Sequence, residues 1–146
     1  GWLALNHVPD LVAGIVAVEP MGPPFMDIPG FASLPWGLTT APVVCDPPVL
    51  KPESLQDGST SAKIHGFEAA PVVVVAGEAS GFGQAAGPAV TEFLNTQQAK
   101  AQFLNLGQSG INGNGHGLIF ETNSEQTIEP VLDWLGDLAS SSTSDS

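Results

Sequence analysis

Two stretches limit most severely what this chain can fold into: LVAGIVAVE, from Leu11 to Glu19, and PVVVVAG, from Pro71 to Gly77. Both are continuous apolar runs rich in β-branched residues, with no alternation of apolar and polar positions. A strand with one wet face alternates; a strand without alternation is buried on both faces, the situation of a parallel sheet between two layers of helices. The expected strands are Leu11–Val18 and Val72–Ala76, with a third at Phe103–Leu106. Between the last two, Pro88 suits the first turn of a helix, and Val90, Phe93, Leu94 and Ala101 recur at helical spacing. After the third strand comes a glycine- and asparagine-rich loop, Gly107–Gly117, and then a helix capped by Thr127 with Pro130 in its first turn. Val131, Leu132, Leu135 and Leu138 form its apolar stripe. At the front, WLALNH reads as a short helix stopped by Pro9. The order helix, strand, excursion, strand, helix, strand, helix is that of an α/β fold with parallel strands and flanking helices. No internal repeat appears.

The segment from residue 20 to 70 breaks this pattern. Nine of the 13 prolines fall between Pro20 and Pro52, which excludes long helices and central strands there. Met21, Phe25, Met26, Phe31, Leu34 and Trp36 are interleaved with them. Two readings fit: a surface excursion pinned by a few apolar contacts, or a lid whose Met and aromatic side chains wall a pocket. Asp57–Ser61 reads as an exposed turn. The chain thus divides into residues 1–19 (helix and strand), 20–70 (Pro-rich excursion), 71–139 (last strands and helices) and 140–146, a Ser-rich tail expected to be disordered.

Composition excludes several roles. The net charge of -12 arises from 15 acidic residues against three lysines and no arginine. Such a surface repels phosphate backbones, so nucleic acid is excluded as a partner. No apolar run is long enough to span a bilayer, and the first residues do not read as a charged-then-apolar signal segment. The single cysteine, Cys45, cannot form an internal disulfide and reads as a buried structural thiol.

Reactive groups in open α/β sheets gather beyond the carboxyl ends of the strands. Glu19, Glu78 and His116 occupy such ends. A serine nucleophile belongs on a G-x-S-x-G turn between strand and helix, and the sequence has none. Ser109 follows Gly107 at the right interval, but Ile111 stands where the second glycine belongs. Cys45 sits among prolines with no neighbour to activate it. His7 and His65 read as surface residues.

The segments GWLALN, IVAVEP with GPPF, WGLTTAPVVCDPPV, PVVVVAGEAS and GNGHG, in this order, resemble the carboxyl-terminal half of an α/β-hydrolase. They are closest to a bacterial and fungal serine esterase branch whose triad glutamate follows the sixth strand. The resemblance runs from Gly1 to about Leu138. It implies that GWLALN is the helix after the nucleophile elbow and that the elbow serine falls just before Gly1. The nucleophile and oxyanion hole then lie on a preceding segment or a separate chain. His116 of GNGHG is the implied general base. Most α/β-hydrolases place the acid after the strand matching PVVVVAG, two residues beyond the glutamate of a GE pair; here that position is Ser80. The branch implies Glu19 of AVEP instead, with Glu78 as second choice. The acid must be a carboxylate, because it fixes the imidazole tautomer and balances its charge.

The expected function is therefore hydrolysis of a small apolar ester or lactone by half of a serine esterase. Met21, Phe25, Met26, Phe31 and Trp36 would contact substrate, and neither cofactor nor metal is implied. The expected partner is the amino-terminal half, held in a tight non-covalent heterodimer; alone, this chain would expose the flat apolar edge of its first strand and aggregate. The acidic, lysine-poor composition suits a secreted or periplasmic enzyme. Two alternatives come from other classes. One is a flavodoxin-like binding module, opposed by the absence of arginine and of a G-x-G-x-x-G turn. The other is an interaction protein on a hydrolase scaffold.

Overall fold

The computed structural model describes residues 1–20, Leu38 and 41–143. Its centre is a three-stranded parallel sheet of β1 (Ile15–Val18), β4 (Val72–Ala76) and β5 (Ala101–Asn105), in the order β1-β4-β5. Two short strands, β2 (Cys45–Asp46) and β3 (Lys63–Ile64), form a separate antiparallel pair. The helices are α1 (Trp2–His7), α2 (Gly81–Thr96) and α3 (Ser124–Thr143). Among the described residues no helix is long and apolar enough to cross a membrane.

The unbroken apolar run Val72–Ala76 has the position its composition requires. All five residues of β4 are buried, between a strand on each side and apolar side chains on each face. Val72 and Val74 join a cluster with Val90, Phe93 and Leu94 of α2, while Val73 and Val75 join Leu106, Leu118 and Val131 on the α3 side. The alternation of side chains along a strand thus divides one apolar sequence between two cores. β1 is shorter than the apolar run that contains it. Pro9 starts a 3₁₀ turn over Pro9–Leu11, and Leu11 is 83% exposed, outside the sheet.

Both long helices begin before the prolines expected in their first turns. α2 starts at Gly81 with Ser80 as its cap, so Pro88 lies in the middle of the helix. α3 starts at Ser124, placing Thr127 and Pro130 inside it; Thr127 Oγ1 donates to the Ser124 carbonyl rather than capping the end. Pro88 is exposed and Pro130 half-exposed, so carbonyls deprived of a helical partner can turn toward water. The Ser-rich tail is helical as far as Thr143, not disordered from residue 140. Ser140 and Ser141 donate their hydroxyls to the carbonyls of Gly136 and Leu138 at 2.9 and 2.8 Å, which satisfies them within the helix. Phe103–Leu106 is displaced toward the amino terminus: β5 ends at Asn105, and Leu106 opens a 3₁₀ turn.

The described part of the Pro-rich segment is packed into the core rather than laid over it. Leu38, Cys45, Leu55, Ala62, Ile64, Phe67 and Ala70 are all buried in the α2-side cluster. Asn6, fully buried on α1, ties this segment down. Its Nδ2 donates to the carbonyls of Val44 and His65 at 2.8 and 2.9 Å, and its Oδ1 accepts from Val44 N at 2.9 Å. Met21, Phe25, Met26, Phe31 and Trp36 lie outside the described residues.

Candidate active site

The parallel sheet brings three strand ends to one edge. The Glu19 amide still donates to the Val75 carbonyl at 2.9 Å, continuing the ladder, but its φ of 48° turns the chain out of the strand. A left-handed conformation costs a non-glycine residue about 1–2 kcal/mol, and here it carries the carboxylate across the end of β4. One carboxylate oxygen, Oε1, accepts from Gly77 N at 2.6 Å. The other, Oε2, accepts from Ser80 Oγ at 2.8 Å and meets His116 Nδ1 at 3.0 Å. Glu19 is 6% exposed. Burying a charge is costly unless it is hydrogen-bonded, and these three donors, with the amino-terminal end of α2 nearby, offset that cost.

The geometry assigns the imidazole tautomer. A carboxylate has no proton to give, so Nδ1 donates and Nε2 is left with its lone pair. The His116 side chain is 56% exposed, against 3% for Glu19, so this basic nitrogen belongs to the open side of the pair. The Phe82 ring meets the imidazole edge-on at 5.4 Å between centroids. Glu19 and His116 line a cleft of about 300 Å³ with Val18, Gly117, Leu118, Ile119 and Phe120.

The loop that presents His116 is glycine-rich yet closely tied. Gly113 N donates to Glu78 Oε2 at 3.1 Å, Ala79 N to the Asn114 carbonyl at 3.0 Å, and Gly115 N to Glu121 Oε1 at 2.9 Å. The amides of Asn114 and Asn123 exchange two hydrogen bonds, at 2.7 and 3.1 Å. Gly77 has no side chain where the carbonyls of Asn114 and Gly115 cross it; a Cβ there would collide with both.

The structure thus brings together Glu19 and His116, the two residues expected to act as a pair. It does not bring Glu78 to the imidazole: that carboxylate is exposed and holds the His loop through a backbone amide. His7 bonds the Pro42 carbonyl at 2.9 Å, and the backbone of His65 bonds Val44 and Asn6, so both belong to the anchoring of the excursion. Cys45 is buried on β2, and burial pushes its thiol above its usual range. Ser109 ends an exposed turn. Among the described residues no serine hydroxyl bonds the His116 ring, and no group of three His, Cys, Asp or Glu could hold a metal. In sequence, Ser80 stands out only as a serine where most α/β-hydrolases carry a carboxylate. Its position just before the glycines that open α2 is a capping signal, and its bond to Glu19 had no signal at all.

No protein-family model matches the sequence. Over an alignment of 154 positions the chain is 32% identical to the probable secreted lipase phiG of a fungal species (strain ATCC 74256). That match covers 92% of this chain and 42% of the lipase. The fold is similar to that of a solved bacterial esterase, with a TM-score of 0.57 at 21% identity, covering 93% of this chain and 34% of the esterase. The chain therefore spans less than half the length of either protein. At these values the structural likeness shows an α/β fold shared with part of that esterase, and the sequence likeness is to part of the probable secreted lipase.

Proposed function

We propose that this chain is the carboxyl-terminal part of a secreted serine esterase or lipase, with His116 as general base and Glu19 as the acid of its triad. The observation that carries the reading is the 3.0 Å contact of His116 Nδ1 with a buried, fully hydrogen-bonded Glu19. It leaves Nε2 bare on the exposed side of the strand ends, where reactive groups of open α/β sheets gather. In the proposed reaction Nε2 removes the proton of a serine hydroxyl as its oxygen attacks the ester carbonyl carbon. The imidazolium, balanced by Glu19, then returns the proton to the departing alcohol. Water repeats the cycle on the acyl-enzyme, releasing the carboxylic acid and the free serine.

The nucleophile and the oxyanion hole are assigned to a preceding segment or an accompanying chain. Two observations on this chain support such a partner. Among the described residues β1 pairs on one side only. Beside it an apolar cleft of about 300 Å³ is lined by Val18, Val75, Leu118, Ile119, Ile128 and Val131. A continued sheet would cover both, and an uncovered apolar edge invites aggregation. The substrate is proposed to be a small apolar ester or lactone, with Met21, Phe25, Met26, Phe31 and Trp36 as its apolar contacts.

The test is His116→Ala in an active preparation that also contains the nucleophile-bearing segment. Turnover should fall by on the order of 10³–10⁶, with circular dichroism unchanged and Tm lowered by a few degrees at most, because one of the three bonds of the buried carboxylate is lost. Wild-type turnover would refute the assignment.

A further inference from the structure

Ser80 is 3% exposed and stands where two structural elements meet the acid. Its hydroxyl accepts from Gly83 N at 2.9 Å, capping α2, and donates to Glu19 Oε2 at 2.8 Å. A hydroxyl has one proton, and a carboxylate can only accept. The Gly83 amide therefore takes one of the oxygen's lone pairs, and the proton points at Glu19. The oxygen that receives it is the one that faces His116, while Gly77 N holds the other oxygen. The plane of the carboxylate is fixed from both ends.

From this we infer that Ser80 is a positioning residue for catalysis, holding Glu19 in the orientation that His116 requires. The inference rests on the roles given above to Glu19 and His116. With alanine at position 80, Oε2 keeps the imidazole as its one partner, and only the Gly77 amide on the other oxygen still resists rotation of the carboxylate about its terminal bond. The imidazole then loses a fixed support, though nothing that touches substrate has changed. A misplacement of this kind is expected to lower kcat by about 10- to 100-fold, with KM unchanged.

Losing a helix cap also weakens α2, so the comparison variant must weaken the same helix without reaching Glu19. Ala85→Gly does so from an exposed position in α2, at a cost to the helix similar to that of a lost cap. Ser80→Ala, Ala85→Gly and His116→Ala are measured for kcat, KM and Tm in the same active preparation. The inference predicts that Ser80→Ala and Ala85→Gly both lower Tm, Ser80→Ala the more because it also takes a donor from the buried carboxylate, while only Ser80→Ala lowers kcat. Unchanged kcat in Ser80→Ala, or an equal loss in both, would overturn the positioning role while an inactive His116→Ala variant leaves the triad standing. An active His116→Ala variant would overturn the triad reading and this inference with it.

Discussion

Gly83→Ala separates the stability of this fold from its proposed chemistry, because the two respond differently to one methyl group. Gly83 lies in the first turn of α2 and is buried against Glu19. A Cβ at this position would sit 2.7 Å from Glu19 Cδ and Oε1, and closer still to Oε2. Relaxed non-bonded contacts lie near 3.5–4.0 Å, so the carboxylate must retreat by roughly 1 Å. That displacement disturbs the carboxylate's bonds to Gly77 N, Ser80 Oγ and His116 Nδ1 together. The backbone of α2 has no need to move, since the obstacle is the end of a flexible side chain. Alanine in place of a helical glycine contributes about 0.5–1 kcal/mol of stability, and disturbing the bonds of the buried carboxylate costs about 1–3 kcal/mol. The net change is a loss of roughly 0–2.5 kcal/mol, a drop in Tm of a few degrees. Turnover, by contrast, should fall by about 10²-fold from misplacement alone, and toward 10⁴-fold if the imidazole loses its tautomer. Saturating ester hydrolysis and a thermal melt on the same preparation decide the matter. A folded Gly83→Ala enzyme with wild-type kcat would show that the Glu19 carboxylate is not where the chemistry needs it.

Two further predictions use other residues. Glu19→Gln should cost roughly 10²–10⁴ in turnover and Glu78→Gln much less, because Glu78 touches the backbone of the His loop and not the ring; the opposite ranking in kcat would move the acid to the later strand. Asn6→Ala takes the side-chain partner from the Val44 amide and the His65 carbonyl, while the Val44 carbonyl keeps the His65 amide, and should lower stability by roughly 2–4 kcal/mol in denaturant unfolding; a change too small to resolve would mean that other contacts hold that segment.

What the sequence made legible follows from the range of the interactions. β4 was readable because burial on both faces leaves no polar position in the run, although the same pattern over Leu11–Val18 yielded only the four residues of β1, with Leu11 and Val18 exposed. Glu19 and His116 were readable as strand-end residues within recognisable segments. The starts of α2 and α3 were not, because a proline is best tolerated in a first turn and both helices carry theirs further in. The glycines at 81 and 83 hide the beginning of α2, and Gly83 is there to admit the Glu19 carboxylate, a contact across 64 residues of chain. The anchoring of the Pro-rich segment by Asn6 is of the same kind: one amide reaching residues 38 and 59 positions away leaves no local pattern. Ser80 illustrates the limit most clearly. Its identity argued against a carboxylate at that position, while its hydroxyl is directed at the Glu19 carboxylate from the end of the neighbouring strand.

The central claim is that His116 activates a nucleophile that this chain does not itself contain, and the rate of labelling by a serine-directed phosphonate tests it most directly. An activated serine reacts because a base removes its proton. The active preparation should therefore be labelled on a serine outside residues 1–146, and His116→Ala should slow that labelling by at least about 10³-fold. A label on Ser80, Ser109 or any other serine of this chain, or an undiminished rate in His116→Ala, would contradict the account.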